Sequence, residues 1–261
     1  MKEYILKNSG YSIRYHDFDG NGTPVLFIHG LGCAGSSDYP NVVTQAEIKG
    51  NRHILVDLLG AGYSDKPIDA DYTISGHAKY LSEFVSGLDI ERFILFGHSL
   101  GGAVALSLAD MCRNRLENII LTEPNLDSGG GLTSRAIAAF GPDEFVNEGF
   151  AAIIDKGRKS SRTVWAASLS TWLPQAAYTV SRSVIDGLTP SWREILYSLD
   201  CPKTFICGER SIPNLDIQGL ENNDIHIEIV DNAGHSMALE NPKGLAAAIS
   251  NGIKQGVNIR R

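Results

Sequence analysis

The sequence predicts an α/β protein in which helices wrap a mostly parallel β-sheet. Short apolar, β-branched runs recur along the chain with helical stretches between them, which is typical of this class. Several runs, such as residues 25–28 (VLFI) and 93–96 (FILF), are continuously hydrophobic, as strands covered on both faces are. A long helical block also interrupts the alternation, which predicts a helical insertion in an otherwise regular sheet.

The order of the predicted elements places this insertion late in the chain. Strands are predicted at residues 12–15, 24–28, 53–57, 93–97, 119–122, 203–207 and 226–230. Helices are predicted at 74–87, 100–113 and 242–255, and in the insertion at 134–140, 142–156, 163–172, 174–188 and 191–199. Because ligands bind at the carboxyl edge of parallel sheets, a helical block on that side predicts a cap. We therefore expect a core of residues 1–125 and 199–261 and a cap of residues 126–198.

Composition narrows the functional class. The chain has 261 residues with 43% hydrophobic and 20% charged residues, ordinary values for a globular protein with a sizeable core. With 23 Lys and Arg against 30 Asp and Glu, the net charge is −7 and no basic cluster exceeds Arg260-Arg261, which argues against nucleic acid or an anionic membrane surface. The N-terminus lacks a signal-peptide run and no window approaches 18 apolar residues, so we expect a cytoplasmic protein without membrane spans.

Cysteine usage gives no indication of a metal site. The four cysteines have none of the paired spacings of zinc sites, and we expect reduced thiols in a reducing compartment. Neither a metal nor an organic cofactor is expected.

A candidate nucleophile lies in Gly97-His98-Ser99-Leu100-Gly101, which matches the pattern G-x-S-x-G. The pattern alone is weak, but here it follows a predicted apolar strand and opens a predicted helix, as a nucleophile elbow requires. Ser99 would project from a sharp turn whose glycines allow strand and helix to approach closely. The N–H of Leu100 would face a developing oxyanion.

A serine hydroxyl needs a base, and His235 is the best placed of the seven histidines. It lies just after the last predicted strand, in the chain order nucleophile, acid, histidine. His29 opens a glycine-rich loop, His29-Gly30-Leu31-Gly32, in which the Leu31 N–H is the expected second oxyanion donor. For His29 itself we expect internal hydrogen bonds.

Four motifs together resemble the α/β-hydrolase fold superfamily and occur in its order over essentially the whole chain. They are HGLG at 29–32, DLLGAGYSD at 57–65, GHSLGG at 97–102 and AGHS at 233–236. The resemblance implies an eight-stranded, mostly parallel sheet flanked by helices, with a helical cap inserted after strand six, and a Ser–His–acid triad. The second motif usually reads D-x-P-G-x-G-x-S, and here Leu59 replaces the proline.

The acid of the triad departs from the family pattern. It commonly follows strand seven in a G-x-x-D pattern, but Ser211 occupies that position after Gly208. Serine cannot supply the negative charge that stabilises a histidinium. Glu123 ends the preceding predicted strand, only about 4.8 Å away, and is the favoured replacement. Three other carboxylates, or no acid at all, stay open: Asp216, Asp127 and Glu209.

The nucleophile decides the expected reaction. A serine excludes the epoxide hydrolases and haloalkane dehalogenases of the family, which need a carboxylate, and predicts acyl transfer. We expect a carboxylic-ester hydrolase for a small to medium substrate with an apolar acyl or alcohol part; thioesters and lactones share the mechanism. Two alternatives stay open: a cofactor-free C–C hydrolase or lyase, and a non-catalytic ligand-binding protein. In the cap, Trp165, Trp172 and Tyr178 are candidate substrate-binding residues. Oligomeric state is not predicted.

Overall fold

The architecture is described by a computed structural model that covers the backbone of residues 1–258 and the side chains of residues 1–255. Eight strands form one sheet in the order β1-β2-β4-β3-β5-β6-β7-β8. The first two pairings, β1 with β2 and β2 with β4, are antiparallel, and all later pairings are parallel. The strands are β1 (Lys2–Ile5), β2 (Ser12–Phe18), β3 (Gly22–Ile28), β4 (Asn51–Val56), β5 (Phe93–His98), β6 (Leu116–Thr122), β7 (Lys203–Gly208) and β8 (His226–Val230).

Helices lie along the connections between these strands. The α-helices are α1 (Gly35–Asp38), α2 (Pro40–Val43), α3 (Ile74–Gly87), α4 (Leu100–Met111), α5 (Leu132–Ala138), α6 (Pro142–Glu144), α7 (Phe150–Arg158), α8 (Thr163–Leu169), α9 (Pro174–Asp186), α10 (Trp192–Tyr197), α11 (Ile217–Glu221), α12 (Met237–Glu240) and α13 (Pro242–Asn258). Short 3₁₀ turns occur at Ala46–Ile48, Arg113–Arg115 and Glu209–Asn214, and a π-helical turn at Phe145–Gly149.

The central strands are hydrophobic along their length because both faces of the sheet are covered. One buried cluster includes Leu26, Leu95 and Leu121, and a second, on the opposite side, includes Phe27 and Ile120. Consecutive residues of one strand thus fall into different clusters, as the two-residue period of a strand requires. The fold class predicted from the sequence is confirmed, including the eight strands.

Two of the differences between the structure and the sequence prediction have a direct physical reason. Strand β1 was not predicted from the residue pattern because it is a four-residue edge strand that is mostly exposed and carries no hydrophobic run. The single helix predicted at 142–156 contains the π-helical turn Phe145–Gly149. Gly149 lies there so close to the rings of Phe140 and Phe145 that an added Cβ would sit 3.0 and 2.9 Å from them.

The helices between β6 and β7 form a helical segment, which we define as residues 126–198. Inside it, α5 packs on α9 and α7 packs on α8. Towards the sheet, α10 packs on α4, where Trp192 Nε1 donates a hydrogen bond to Ser107 Oγ at 3.0 Å. The division of the chain into core and cap at residues 125 and 199 stays a prediction.

Over the helices described up to residue 258, none combines the length and apolar character needed to cross a membrane.

Replacing Ile120 by alanine is expected to destabilise the fold by about 2–5 kcal/mol, because this side chain is fully buried in β6 and its loss leaves a cavity. The free energy of unfolding from urea titration is the measurement. Ile68→Ala, at a position 83% exposed, is the matched control and should change it by less than about 0.5 kcal/mol. Equal losses in the two variants would contradict this assignment of the core.

Candidate active site

Ser99 occupies a sharp turn between strand β5 and helix α4. Its backbone has φ 52° and ψ −122°, a conformation that residues other than glycine rarely adopt. A Cβ added to Gly101 would lie 2.3 Å from the His29 carbonyl oxygen, and one added to Gly97 would lie 2.8 Å from Ala105 Cβ. The two glycines therefore allow the close approach of strand and helix that the motif predicts, and Ser99 lines a cavity.

Backbone strain is concentrated around this cavity. Among the described residues, five other than glycine have positive φ: Asp89, Ser99, Glu123, Asp224 and Asn232. Aspartate and asparagine tolerate this region in turns, which leaves Ser99 and Glu123 as the unusual cases. Both line the same cavity. Such strain costs about 1–3 kcal/mol per residue and clusters at functional sites.

Glu123 directly follows β6 and contacts His235, as one of the sequence alternatives predicts. Its Oε2 lies 2.6 Å from His235 Nδ1, and its Oε1 accepts a hydrogen bond from the Gly208 N–H at 3.0 Å. The Glu123 N–H continues the sheet ladder by donating to the Ile206 carbonyl at 3.2 Å. Glu123, at the end of β6, thus contacts both the end of β7 and the loop after β8.

The environment of Glu123 favours its charged form. Its side chain is only 8% exposed, and burial by itself would raise its pKa. The hydrogen bonds from His235 and the Gly208 N–H, the charge of His235 and the nearby Ser211 hydroxyl outweigh burial and hold the pKa of Glu123 below its ordinary value. Ser211, at the usual position of the family acid, thus lies beside the Glu123 carboxylate.

The carboxylates of the three other candidate acids contact groups other than His235. Asp127 forms a two-pronged ion pair with Arg193, with a shortest contact of 2.7 Å. Asp216 caps helix α11 by accepting from the Gly219 N–H at 3.0 Å, and Glu209 accepts from a backbone N–H in the loop after β8 at 2.9 Å. Of the four carboxylates, only Glu123 reaches His235.

His98, a variable position of the G-x-S-x-G pattern, is a neighbour of His235 that the pattern does not indicate. The two imidazole centroids are 4.8 Å apart, and His98 Nδ1 lies 3.0 Å from Thr122 Oγ1. Burial, helped by the nearby His235, lowers the pKa of His98 to about 3, so its ring is neutral at neutral pH. The signal available in the sequence was its position next to Ser99.

The glycine-rich loop after β3 is fixed by His29, whose internal hydrogen bonds agree with the expectation. His29 Nε2 accepts from the Leu58 N–H at 3.0 Å, so Nδ1 carries the proton and donates to the Gly30 carbonyl at 3.0 Å. Within residues 1–258 the Leu31 N–H makes no hydrogen bond to the protein. The Leu100 N–H is the first of helix α4, where a donor has no acceptor inside the helix.

A cavity of about 550 Å³ brings these groups together, a volume ordinary for a small-molecule site. Its lining is partly apolar and partly polar. The residues that line it are Gly30, Leu31, Cys33, His98, Ser99, Leu100, Glu123, Pro124, Asn125, Gly131, Leu132, Thr133, Ser134, Arg162, Trp165, Phe205, Leu215, His235, Ser236 and Glu240.

Only one of the three aromatic residues predicted to bind substrate lines this cavity. Trp165 does so, and its Nε1 donates to the Leu31 carbonyl at 2.9 Å. Trp172 is instead buried, with its Nε1 bonded to the Cys33 carbonyl at 2.8 Å. Tyr178 packs inside the helical segment, where its hydroxyl lies 3.2 Å from the Phe140 carbonyl. The expectation that Trp172 and Tyr178 contact substrate is therefore corrected: both rings are used to pack and anchor backbone.

Over residues 1–258, no three or more His, Cys, Asp or Glu side chains converge as a metal site would require.

Comparison with known proteins places these features in a family. A family model described as the alpha/beta hydrolase family matches residues 25–248. Among solved structures, an esterase from Thermogutta terrifontis superposes with a TM-score of 0.79 at 20% identity, covering 98% of both chains. The N-acyl homoserine lactonase AidH superposes with a TM-score of 0.74 at 20% identity, covering 97% of this chain and 96% of that one. At this identity the likeness concerns the fold alone.

Curated relatives match over a shorter stretch. A 2-hydroxymuconate semialdehyde hydrolase of Pseudomonas sp. (strain CF600) is 35% identical over 115 residues, which is 43% of this chain and 40% of that protein. An uncharacterised protein of Mycobacterium tuberculosis (strain ATCC 25618 / H37Rv) is 40% identical over 114 residues, or 44% of this chain and 31% of that protein. The matched stretch is thus less than half the length of either relative.

The lowered pKa of Glu123 predicts a pH-dependent contribution to stability. A carboxylate with a depressed pKa stabilises the fold above its unfolded pKa, about 4.3, and loses this effect as the pH falls through its folded-state pKa. Glu123→Gln removes the charge, so the difference in free energy of unfolding from wild type should be largest near neutral pH and shrink towards about pH 3. Urea titrations at both pH values measure it.

Glu148→Gln controls for the change in net charge, because Glu148 is exposed on the helical segment. A Glu123→Gln difference that stays constant, or grows in acid, would show that the carboxylate is not stabilised as described.

Proposed function

We propose that this chain, which belongs to the α/β hydrolase family, is a serine hydrolase that cleaves a small to medium carboxylic ester through an acyl-enzyme at Ser99. The observation that carries the proposal is the 2.6 Å contact between Glu123 and His235 in the cavity that Ser99 lines. A carboxylate bonded to Nδ1 leaves Nε2 of the same ring as the base for a serine.

In the proposed first step, His235 Nε2 takes the proton of the Ser99 hydroxyl as that oxygen attacks the ester carbonyl carbon. Glu123 fixes the tautomer of His235 and stabilises the imidazolium that forms. The histidinium then protonates the leaving alcohol, and the acyl group stays on Ser99. Water activated by His235 cleaves the acyl-enzyme. Within the described residues the Ser99 hydroxyl makes no hydrogen bond, and catalytic hydrogen bonds often tighten only when substrate binds.

The backbone N–H groups of Leu31 and Leu100 are the proposed donors to the tetrahedral oxyanion. Both residues line the cavity, and the donors belong to the loop after β3 and to the first turn of α4. The helix dipole adds positive potential at the Leu100 N–H. Each such donor is worth on the order of 10²–10³ in turnover.

The cap is the proposed determinant of specificity, with residues 126–198 covering the site. Trp165 and Leu132 line the cavity from this segment, while Leu215 and Phe205 contribute apolar surface from the core. This lining supports an apolar acyl or alcohol part in the substrate. Thioesters and lactones would react by the same steps.

A second candidate is a cofactor-free C–C bond hydrolase on the same site. Its support is the partial sequence match to 2-hydroxymuconate semialdehyde hydrolase. In that case Ser99 and His235 would transfer a proton within a ketone substrate, and water would add to its carbonyl carbon. The carbon–carbon bond would then break, leaving a carboxylic acid, and the released carbon would take up a proton.

Covalent labelling tests the nucleophile. Wild-type protein should gain one fluorophosphonate adduct in its intact mass, and Ser99→Ala should gain none. A neighbouring-serine control, Ser236→Ala, should still label, because Ser236 lines the cavity but does not lie on the elbow. An unlabelled wild-type protein would favour a non-catalytic binding role.

The role of Glu123 as the acid is tested by moving the carboxylate from residue 123 to residue 211. Glu123→Gln should lower kcat for a 4-nitrophenyl ester on the order of 10⁴-fold, because the neutral amide cannot stabilise the imidazolium. Adding Ser211→Asp should recover at least about tenfold of that loss, since Ser211 lies beside Glu123 at the usual position of the family acid.

Asp127→Asn and Asp216→Asn are the control variants, and both should keep wild-type kcat because their carboxylates bind Arg193 and the Gly219 N–H. Near-normal turnover in Glu123→Gln would refute the relocated acid.

A further inference from the structure

Arg162 brings a positive charge to the cavity that Ser99 lines. The residue directly precedes helix α8, and its guanidinium carbon lies 3.8 Å from the centre of the Trp165 ring system. Its only side-chain hydrogen bond among the described residues is a long one, 3.4 Å from Nη2 to Thr133 Oγ1. Most of the five N–H donors of this side chain therefore have no protein acceptor.

The carboxylates that line the cavity already have partners, one of which, Arg210, lies outside the lining. Glu123 is paired with His235, and Glu240 is paired with Arg210 at 3.0 Å. Arg162, in contrast, has no carboxylate within 4 Å among the residues that the structure describes.

Two other arginines of the helical segment have carboxylate partners on their own helices. Arg158 and Arg182 pair with Asp155 and Asp186 on their own helices, at 3.6 and 3.2 Å. These two arginines do not line the cavity. The arginine that lines the cavity thus has no counter-charge among the described residues; Arg135, which also has none, is exposed on α5 and does not line the cavity.

We propose that Arg162 binds a carboxylate of the substrate, so that the natural substrate is an anionic ester or a close acyl analogue. This inference rests on the proposed function of Ser99. The planar guanidinium offers paired N–H groups that match the two oxygens of a carboxylate, which gives a charge-assisted contact with defined geometry.

Trp165 holds this guanidinium in place. Its indole N–H donates to the Leu31 carbonyl, and Gly32 lies so close beneath the ring that an added Cβ would sit 2.4 Å from Trp165 Nε1. A guanidinium stacked on a fixed ring loses less side-chain entropy when it binds an anion. The same hydrogen bond connects the anion site to the loop that carries the proposed oxyanion donor.

The cavity lining combines apolar side chains with Arg162 and Ser99, which fits such a substrate. Apolar side chains, including Leu132, Phe205 and Leu215, lie in the same cavity as Arg162 and Ser99. A substrate with an acyl carbonyl at Ser99, an apolar body and a carboxylate at Arg162 would match all three features.

A pair of substrates that differ only in charge tests this inference. We compare 4-nitrophenyl hydrogen glutarate, which carries a free carboxylate, with its methyl ester, and take the ratio of their kcat/KM values. Wild type should prefer the anionic ester by at least about tenfold, and Arg162→Met should lose that preference, chiefly through KM. Arg162→Lys should keep part of it, because the charge remains but the paired geometry does not.

Arg158→Met is the matched control, since Arg158 lies on the same segment outside the cavity and its loss should leave the ratio unchanged. A purely structural role of Arg162 would lower kcat/KM for both esters together and leave the ratio intact. That outcome, or a wild-type enzyme without preference, would overturn the inference.

A binding measurement separates this inference from the proposed chemistry. In Ser99→Ala protein, titration calorimetry should show monobenzyl glutarate binding at least about tenfold more tightly than benzyl methyl glutarate, and Arg162→Met in the same background should abolish the difference. Equal binding of the two ligands would refute the anion site. A missing fluorophosphonate adduct together with a clear binding preference would refute the ester chemistry and keep the anion site.

Discussion

The hydrogen bond between Glu123 and His235 is the contact on which the rest of the site depends. It exists because β6 and β7 are parallel neighbours, with Thr122 opposite Ile206, so that the residue after β6 lies beside the end of β7. The Glu123 backbone then turns with φ 40°, which directs its carboxylate towards the Gly208 N–H and His235. A one-residue slip of this register would remove the carboxylate from the imidazole.

The neighbours of His235 follow from the same sheet edge. His98 ends β5, adjacent to β6, and its neutral ring packs 4.8 Å from that of His235. Ser99 comes next, at the tip of the elbow, so the proposed nucleophile, base and acid all lie where parallel strands end. The strained backbones of Ser99 and Glu123 cost about 1–3 kcal/mol each, and the buried strands below them supply the rigidity that keeps both in place.

The helical segment is fastened to the loop after β3 by tryptophan N–H groups. Trp165 bonds to the Leu31 carbonyl and Trp172 to the Cys33 carbonyl, so two backbone carbonyls in this loop are satisfied by the segment above it. Trp165 and Trp172, both predicted to bind substrate, thus fix the position of the helical segment relative to the loop after β3. Because Arg162 stacks on Trp165, the proposed anion site and the proposed oxyanion loop are held by one ring.

Features that depend on local pattern and on order along the chain could be predicted from the sequence. Continuous hydrophobic runs mark strands buried on both faces, and the elbow glycines, Ser99 and His235 stand at recognisable places along the chain. Strand β1 could not be predicted from this pattern, because an exposed edge strand needs no hydrophobic run. Among four candidate acids, the sequence could favour Glu123 but not settle the choice, since side-chain proximity depends on register and a positive φ that no short motif records. Three outcomes could be read from the tertiary structure but not from the sequence: Glu123 contacts His235, Trp172 and Tyr178 lie outside the cavity lining, and Arg162 has no carboxylate partner among the described residues. All three depend on contacts between segments far apart in sequence.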